Sequence, residues 1–307
     1  SNRVRKPQAY PAQAYPVLLG NLGKKPPMGR SMSKAGLETT CMEKPPCSEH
    51  VKVDSKNAAA DDSNDWSKIF ACKDVIATGA TGMVIAGTLI AQQTPAAMKS
   101  IRKPELVDEF FREFAILKAC RHPNIVTVFS AHEVPKPAFL MELLGKSLNQ
   151  STLEKHIDNN GVRVAFSNAA AAVLYLHSVF IAHRDIKPSN LCHQVDCLSW
   201  EVKLIDFDAA EKLEDYAETG PATPAYAPTS TNFFEAFNVW KKWKMAELDI
   251  FALGKTFQEI VCERGSALTD PFKEDFLAVT DQLLIRKQNL KQALEYAQAA
   301  GLRPRVA

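Results

Sequence analysis

The chain reads as an α+β protein of two lobes: a small lobe built on an antiparallel sheet with one helix, then a larger, mainly helical lobe. Three observations predict this. Residues 69–101, IFACKDVIATGATGMVIAGTLIAQQTPAAMKSI, are short apolar runs broken by Gly and Thr, the pattern of hairpins in an antiparallel sheet. A single helical period follows at 104–121. Beyond Gly145 the apolar residues recur at helical rather than strand spacing.

The elements are justified in order. Residues 1–66 are expected to be a disordered tail or linker, because they are rich in Pro, Ser, Lys and Asn and keep no helix or strand period. QAYPAQAYP is a duplication too short to make a repeat fold. The basic cluster Arg3, Arg5, Lys6 followed by Val17, Leu18 and Leu19 reads as a solvated linker or, alternatively, a docking peptide. The small lobe is expected over 67–142. Its helix, PELVDEFFREFAILKACR, carries Phe110, Phe114, Leu117 and Ala119 at helical spacing, with Pro104 near its start. NIVTVFSAHEV and AFLMELL read as two further strands.

The larger lobe is expected over 143–307. RVAFSNAAAAVLYLHSVF is apolar on most faces, as a buried helix is. ELDIFALGKTFQEIVCE is a second apolar helix, with Asp249 near its start, and 276–304 continue helical. This end looks reduced or cut off. The first residue is Ser, so the chain reads as a fragment whose N-terminal signal, if any, lies out of view.

Composition excludes some classes. The 307 residues are 46% hydrophobic and 23% charged with a net charge of +2, which gives no argument for nucleic acid or a membrane surface as partner. No apolar run approaches the roughly 20 residues of a membrane span. Cys41, Cys47, Cys72, Cys120, Cys192, Cys197 and Cys262 are scattered and odd in number, so reduced thiols and a cytoplasmic location are expected, with the nucleus as alternative. Cys192, His193 and Cys197 resemble half a zinc site, but no second ligand pair lies near.

The chemistry-bearing residues come next. ATGATGMV places Gly79 and Gly82 in a turn between strands, where backbone N–H groups can approach phosphate oxygens closely. Lys99 ends the strand AAMK, and a Lys on a half-buried strand wants a partner; Glu113 on the following helix is the candidate. HRDIKPSN, residues 183–190, crowds one acid, two cations and an amide. Asp185 can accept or orient a hydroxyl proton, Lys187 can neutralise charge on a transferring phosphoryl group, and Asn190 offers a neutral hard ligand for magnesium. VKLIDFD presents Asp206, a second oxygen ligand, at the end of an apolar strand.

In order, AxGxxGxV, AMK, Glu113, HRDIKPSN, DFD and Asp249-Ile-Phe…Gly254 resemble the signature set of eukaryotic protein kinases over roughly residues 70–255. The resemblance implies the bilobal protein-kinase-like fold, with 67–142 and 143–307 as its N- and C-lobes. It further implies ATP and Mg2+ as cofactors and a serine/threonine class enzyme, since DIKPSN has Lys at the second position after the Asp. By the same resemblance Lys99 holds the α/β-phosphates and Asp185 is the catalytic base; Lys187, Asn190 and Thr223 complete the catalytic set, and Asn190 and Asp206 hold magnesium. Met141 falls at the gatekeeper position, with Glu142 and Leu144 in the adenine-binding hinge. Val84, Ala97 and Cys192 sandwich the adenine, and Leu117, Val128, His183 and Phe207 form the column linking the lobes. The implied partners are a protein carrying Ser or Thr and an upstream kinase acting on Thr219 (Tyr216 second), with Arg184 reading the phosphate.

Four departures stand out. Ala77 replaces the first glycine of the phosphate loop. Asp208 replaces the Gly of DFG, costs that segment its freest backbone, and adds a carboxylate that either draws metal or raises a neighbour's pKa. YAPTS replaces the APE ending, so the buried Glu–Arg pair that anchors the segment looks absent, with Arg286 and Arg303 as the only leftovers. The helical end is short. These departures make a weak or inactive, nucleotide-binding scaffold the alternative function; a small-molecule kinase is disfavoured by HPNIV, Arg184 and the DIFALG helix.

Overall fold

The computed structural model describes residues 66–79, 82–133, 136–154, 156–195, 199–214, 223–228, 243–284 and 290–299. The chain divides into two units, Ser1–Asn64 and Asp65–Ala307, and every described residue lies in the second. The readings made for the tail, Cys197, Tyr216, Thr219, Thr229 (the Thr of YAPTS, where APE has Glu), Arg286 and Arg303 fall outside the described residues.

After one helical turn at Trp66–Ile69, five strands form an antiparallel sheet in the order β1-β2-β3-β5-β4: β1 Phe70–Thr78, β2 Gly82–Leu89, β3 Thr94–Ile101, β4 Val128–His132 and β5 Ala138–Glu142. β3 is central and buried from Ala96 to Ser100, because both of its edges are paired. Its register sets Ala97 opposite Ala86 and Met141, and Lys99 opposite Val84 and Phe139. Ala97 and Lys99, two apart, therefore share one face of the sheet.

Helix α1, Val107–Ala119, follows a short 3-10 turn that starts at Pro104, where the missing N–H costs nothing. It buries Phe110, Glu113, Ile116 and Leu117, and Phe110 packs on Phe139 at 5.0 Å between ring centroids. Phe114, expected on the buried face, is partly covered and sits 5.6 Å from the same ring. Ile116 takes the deeper place. The face is rotated so that the one acid on it, Glu113, reaches Lys99.

The larger part is helical: α2 Leu148–Glu154, α3 Asn159–Ser178, α4 Met245–Glu259, α5 Asp270–Leu284 and α6 Leu290–Ala299. α3 starts four residues before the Ala-rich run expected to be helical, because Asp158 caps it by accepting from the Gly161 amide at 2.7 Å. Its Ala165, Phe166, Ala169, Ala170, Ala172, Val173 and Leu176 are the middle of the main core, where Phe166 meets Phe257 of α4 and Phe276 of α5. α4 closes in a widened turn at Ile260–Arg264.

Short strands set the functional loops side by side. β6 Leu144–Ser147 pairs with β8 Leu191–Gln194, β8 pairs with β9 Val202–Leu204, and β7 Ile181–Ala182 pairs with β10 Glu211–Lys212. The segment 183–190 lies between β7 and β8, and 205–210 lies between β9 and β10. Since β8 pairs with β9 and β7 with β10, the two segments are brought together at the same end. Ile125 and Val126 join this group: the Leu204 amide donates to the Asn124 carbonyl at 2.8 Å and the Val126 amide to the Leu204 carbonyl at 3.1 Å. Among the described residues no helix is long and apolar enough to cross a membrane.

Candidate active site

Lys99 and Glu113 meet. The ammonium donates to both carboxylate oxygens at 2.8 Å, and both residues are almost wholly buried, at 8% and 2% exposure. Lys99 also donates to Asp206 Oδ1 at 3.1 Å and to Asp208 Oδ1 at 2.5 Å. Burial opposes charge on the lysine, but the three carboxylates outweigh it and hold its pKa above the ordinary range. The Glu113 carboxyl is pushed up to about 8, by burial first and by Asp208 as well, against the pull of Lys99.

The segment 183–190 is pinned from below by Asp249 of α4. Its carboxylate accepts from the amides of His183 and Arg184 at 2.9 and 2.8 Å, and from the His177 ring at 3.0 Å. Burial alone raises the Asp249 pKa, but these donors and His177 hold it below the usual carboxylate range. The two amides lock Arg184 at φ 67°, a conformation a bulky residue keeps only when its surroundings impose it. The His183 ring meets Phe207 edge-on at 4.7 Å, and Leu117, Val128, His183 and Phe207 are all buried.

Above that base, Asp185 is held by three side chains. Lys187 donates to Oδ2 at 2.8 Å, the Thr223 hydroxyl to Oδ1 at 2.5 Å, and the Asn190 amide nitrogen to Oδ2 at 3.1 Å. Lys187 also donates to Thr223 at 3.0 Å, which ties position 223 to the loop across 36 residues. Asn190 commits its nitrogen to Asp185 twice, the second bond being to the backbone carbonyl at 2.8 Å, so its oxygen is the ligand it has to offer. Asp206 sits at φ 65° on the opposite segment. A carboxylate and an oriented amide oxygen form the donor set a hard divalent cation takes.

A cavity of about 550 Å³ lies under the sheet. Val84, Ala97, Met141, Glu142, Leu144 and Cys192, all foreseen for the adenine site, line it. Burial pushes the Cys192 thiol up to about 12, so it packs as an apolar group. Gly79 and Gly82 differ in role. The Gly79 amide closes the turn on the Gly82 carbonyl at 2.9 Å, and a Cβ at Gly79 would meet that carbonyl oxygen only at an ordinary contact of 3.9 Å. A Cβ on Gly82 would stand 2.2 Å from the Ser100 carbonyl oxygen, so strand packing by itself demands glycine there.

Several contacts were not foreseen. Lys203 donates to both oxygens of Glu142 at 2.7 and 2.9 Å, and the Thr127 amide adds a third bond at 2.6 Å, so Glu142 is tied to β9 by its side chain. Arg184 forms an ion pair with Glu211 of β10. The end of the segment has an anchor of its own: the Tyr226 hydroxyl donates to Glu259 at 2.6 Å, and Glu259 pairs with Arg264 at 2.7 Å. Asp208 carries no left-handed backbone, which falls on Asp206 instead, so the lost glycine costs no strain at its own position. Among the described residues, the group of metal-binding types lying within 4.8 Å of one another is Glu113, Asp206 and Asp208.

A family model described as "Protein kinase domain" matches residues 70–300. The chain is 26% identical over 245 residues to mitogen-activated protein kinase HOG1B of Wallemia ichthyophaga, covering 75% of this chain and 64% of that protein. It is 30% identical over 193 residues to HOG1 of Torulaspora delbrueckii (60% and 43% covered) and 30% identical over 219 residues to mpkC of Aspergillus niger (68% and 52% covered), both named mitogen-activated protein kinases. The chain thus spans less than two thirds of the length of these relatives.

Proposed function

Because the chain belongs to the protein kinase family, we propose that it transfers the γ-phosphoryl group of ATP to serine or threonine hydroxyls of a protein substrate. One observation supports this most: the Lys99–Glu113–Asp206 contacts and the Asp185–Lys187–Thr223–Asn190 contacts lie on adjoining segments. Phosphoryl transfer needs mainly positioning and charge stabilisation, and these are the groups that supply it.

In this reading the adenine enters between Val84 and Ala97 above and Cys192 below, meets backbone groups at Glu142 and Leu144, and is bounded by Met141. Gly79 and Gly82 shape the turn over the phosphates. Lys99, steadied by Glu113, binds the α/β-phosphates. Asn190 and Asp206 hold magnesium, which neutralises phosphate charge when bound. Asp185 orients the substrate hydroxyl and accepts its proton, Lys187 balances charge on the moving phosphoryl group, and Thr223 keeps the two in register. An upstream kinase acting on Thr219, a cytoplasmic or nuclear location, a linker role for residues 1–66, and lobes at 67–142 and 143–307 belong to the same reading.

A nucleotide-binding scaffold is the second reading, favoured by the Asp208 carboxylate on Lys99. One assay separates them: magnesium-dependent transfer of labelled phosphate from ATP to a generic basic protein. Wild type incorporates label, and Asp185→Asn lowers the rate by roughly 10²–10⁴-fold, the usual worth of a positioned base. Incorporation by wild type no greater than by Asp185→Asn, with nucleotide still bound, leaves the scaffold.

A further inference from the structure

An ammonium has three N–H donors, and that of Lys99 is spread over three carboxylates: both oxygens of Glu113, one of Asp206 and one of Asp208. No donor remains for a phosphate oxygen. Lys99 binds a nucleotide's phosphates only if one carboxylate lets go. Glu113 is the least able to move, since its side chain is 3% exposed and it also accepts from the Phe207 amide at 3.3 Å. Asp206 is set aside by its role as cation ligand. Asp208 is left: its side chain is 35% exposed, it borders a small cavity with Ile101, Leu106 and Phe110, and its backbone is not held in a left-handed conformation.

We propose that Asp208 is a resident stand-in for the nucleotide's phosphates, saturating Lys99 when the cleft is without nucleotide and yielding its place when a di- or triphosphate enters. It thereby sets how tightly phosphates, but not the nucleoside, are held. Its position explains the effect: two residues beyond Asp206, the carboxylate is carried on the same short segment that presents the cation ligand. The proposal rests on the cleft being a nucleotide site, and the experiment keeps the two apart.

Calorimetric titrations compare adenosine, ADP and ATP on wild type, Asp208→Asn and Asp208→Gly, first in EDTA and then with magnesium. Removing one competing charge a hydrogen bond from the ammonium tightens metal-free ADP and ATP about tenfold in both variants and leaves adenosine unchanged. In a Lys99→Met background the tightening disappears. Equal ADP affinity in wild type and both variants overturns the proposal while the nucleotide site stands. So does tightening that survives Lys99→Met, which assigns the effect to overall charge, and so does weakening confined to magnesium, which makes Asp208 a cation ligand. Absence of binding by adenosine and ADP to every protein overturns the proposal together with the nucleotide reading, and melting temperatures confirm that each variant is folded.

Discussion

Lys203 is 8% exposed on β9, and its charge is tolerated there because Glu142 faces it with both oxygens. Removing one partner of such a pair strands the other charge, which costs more than the pair contributes. Glu142→Ala is expected to lose roughly 3 kcal/mol of unfolding free energy in urea, while the double change Glu142→Met with Lys203→Met recovers most of it. A loss under about 0.5 kcal/mol, typical of surface positions, refutes the role. Lys99–Glu113 was legible beforehand because this cation and this acid occur in an ordered set of motifs. Lys203–Glu142 was not, because VKLIDFD reads as an apolar strand and the partner lies 61 positions away.

At the scale of the element, the segment after Asp206 is held at two points. Near its start β10 pairs with β7, and Glu211 pairs with the largely buried guanidinium of Arg184, whose backbone amide is held by Asp249. At its end Tyr226 hangs on Glu259 and Arg264 of α4 and the turn beyond it. The Glu–Arg pair whose loss the YAPTS ending implies is thus matched by a different acid and arginine, Glu259 and Arg264, to which the segment is tied by Tyr226. Glu211 meets the charge of Arg184 with one of the protein's own carboxylates. Phosphatase-treated Glu211→Ala is therefore expected to transfer phosphate about tenfold more slowly than phosphatase-treated wild type, the worth of one charge-assisted contact to a buried cation. Equal rates after that treatment remove Glu211 from the account. HRD and DFD announced both loops from the sequence; which acid would face the arginine depended on the β7–β10 register.

For the molecule as a whole, two histidines couple stability to pH. His183 Nδ1 accepts from the Asp185 amide at 3.3 Å, and His122 Nδ1 accepts from the Asn124 amide at 3.1 Å, so each ring is bonded in its neutral form. Burial lowers both pKa values from the ordinary 6.5. The unfolded chain binds these protons first as pH falls, so their contribution is complete above 6.5 and is lost as pH drops below it. Glu113, whose carboxyl burial pushes up to about 8, acts in the opposite sense over the same range, so the histidine contribution is read as a difference: the melting temperature of wild type relative to His122→Gln is expected to fall from about pH 7.5 to about 5.5, and a constant difference contradicts it.

What the sequence determined by itself was order along the chain: the hairpins, the helices and the succession of glycine turn, lysine, acid, HRD loop and DFD. Those follow from local propensity and from chemistry that requires given residue types at given spacings. The face α1 would bury, the hold of Asp249 on Arg184, the pairing of Glu142 with Lys203 and the seat of Asp208 on Lys99 were decided only by tertiary structure. The energy of a buried charge depends on what stands within a few ångströms of it, and for these residues that neighbour lies between 61 and 109 positions away in sequence.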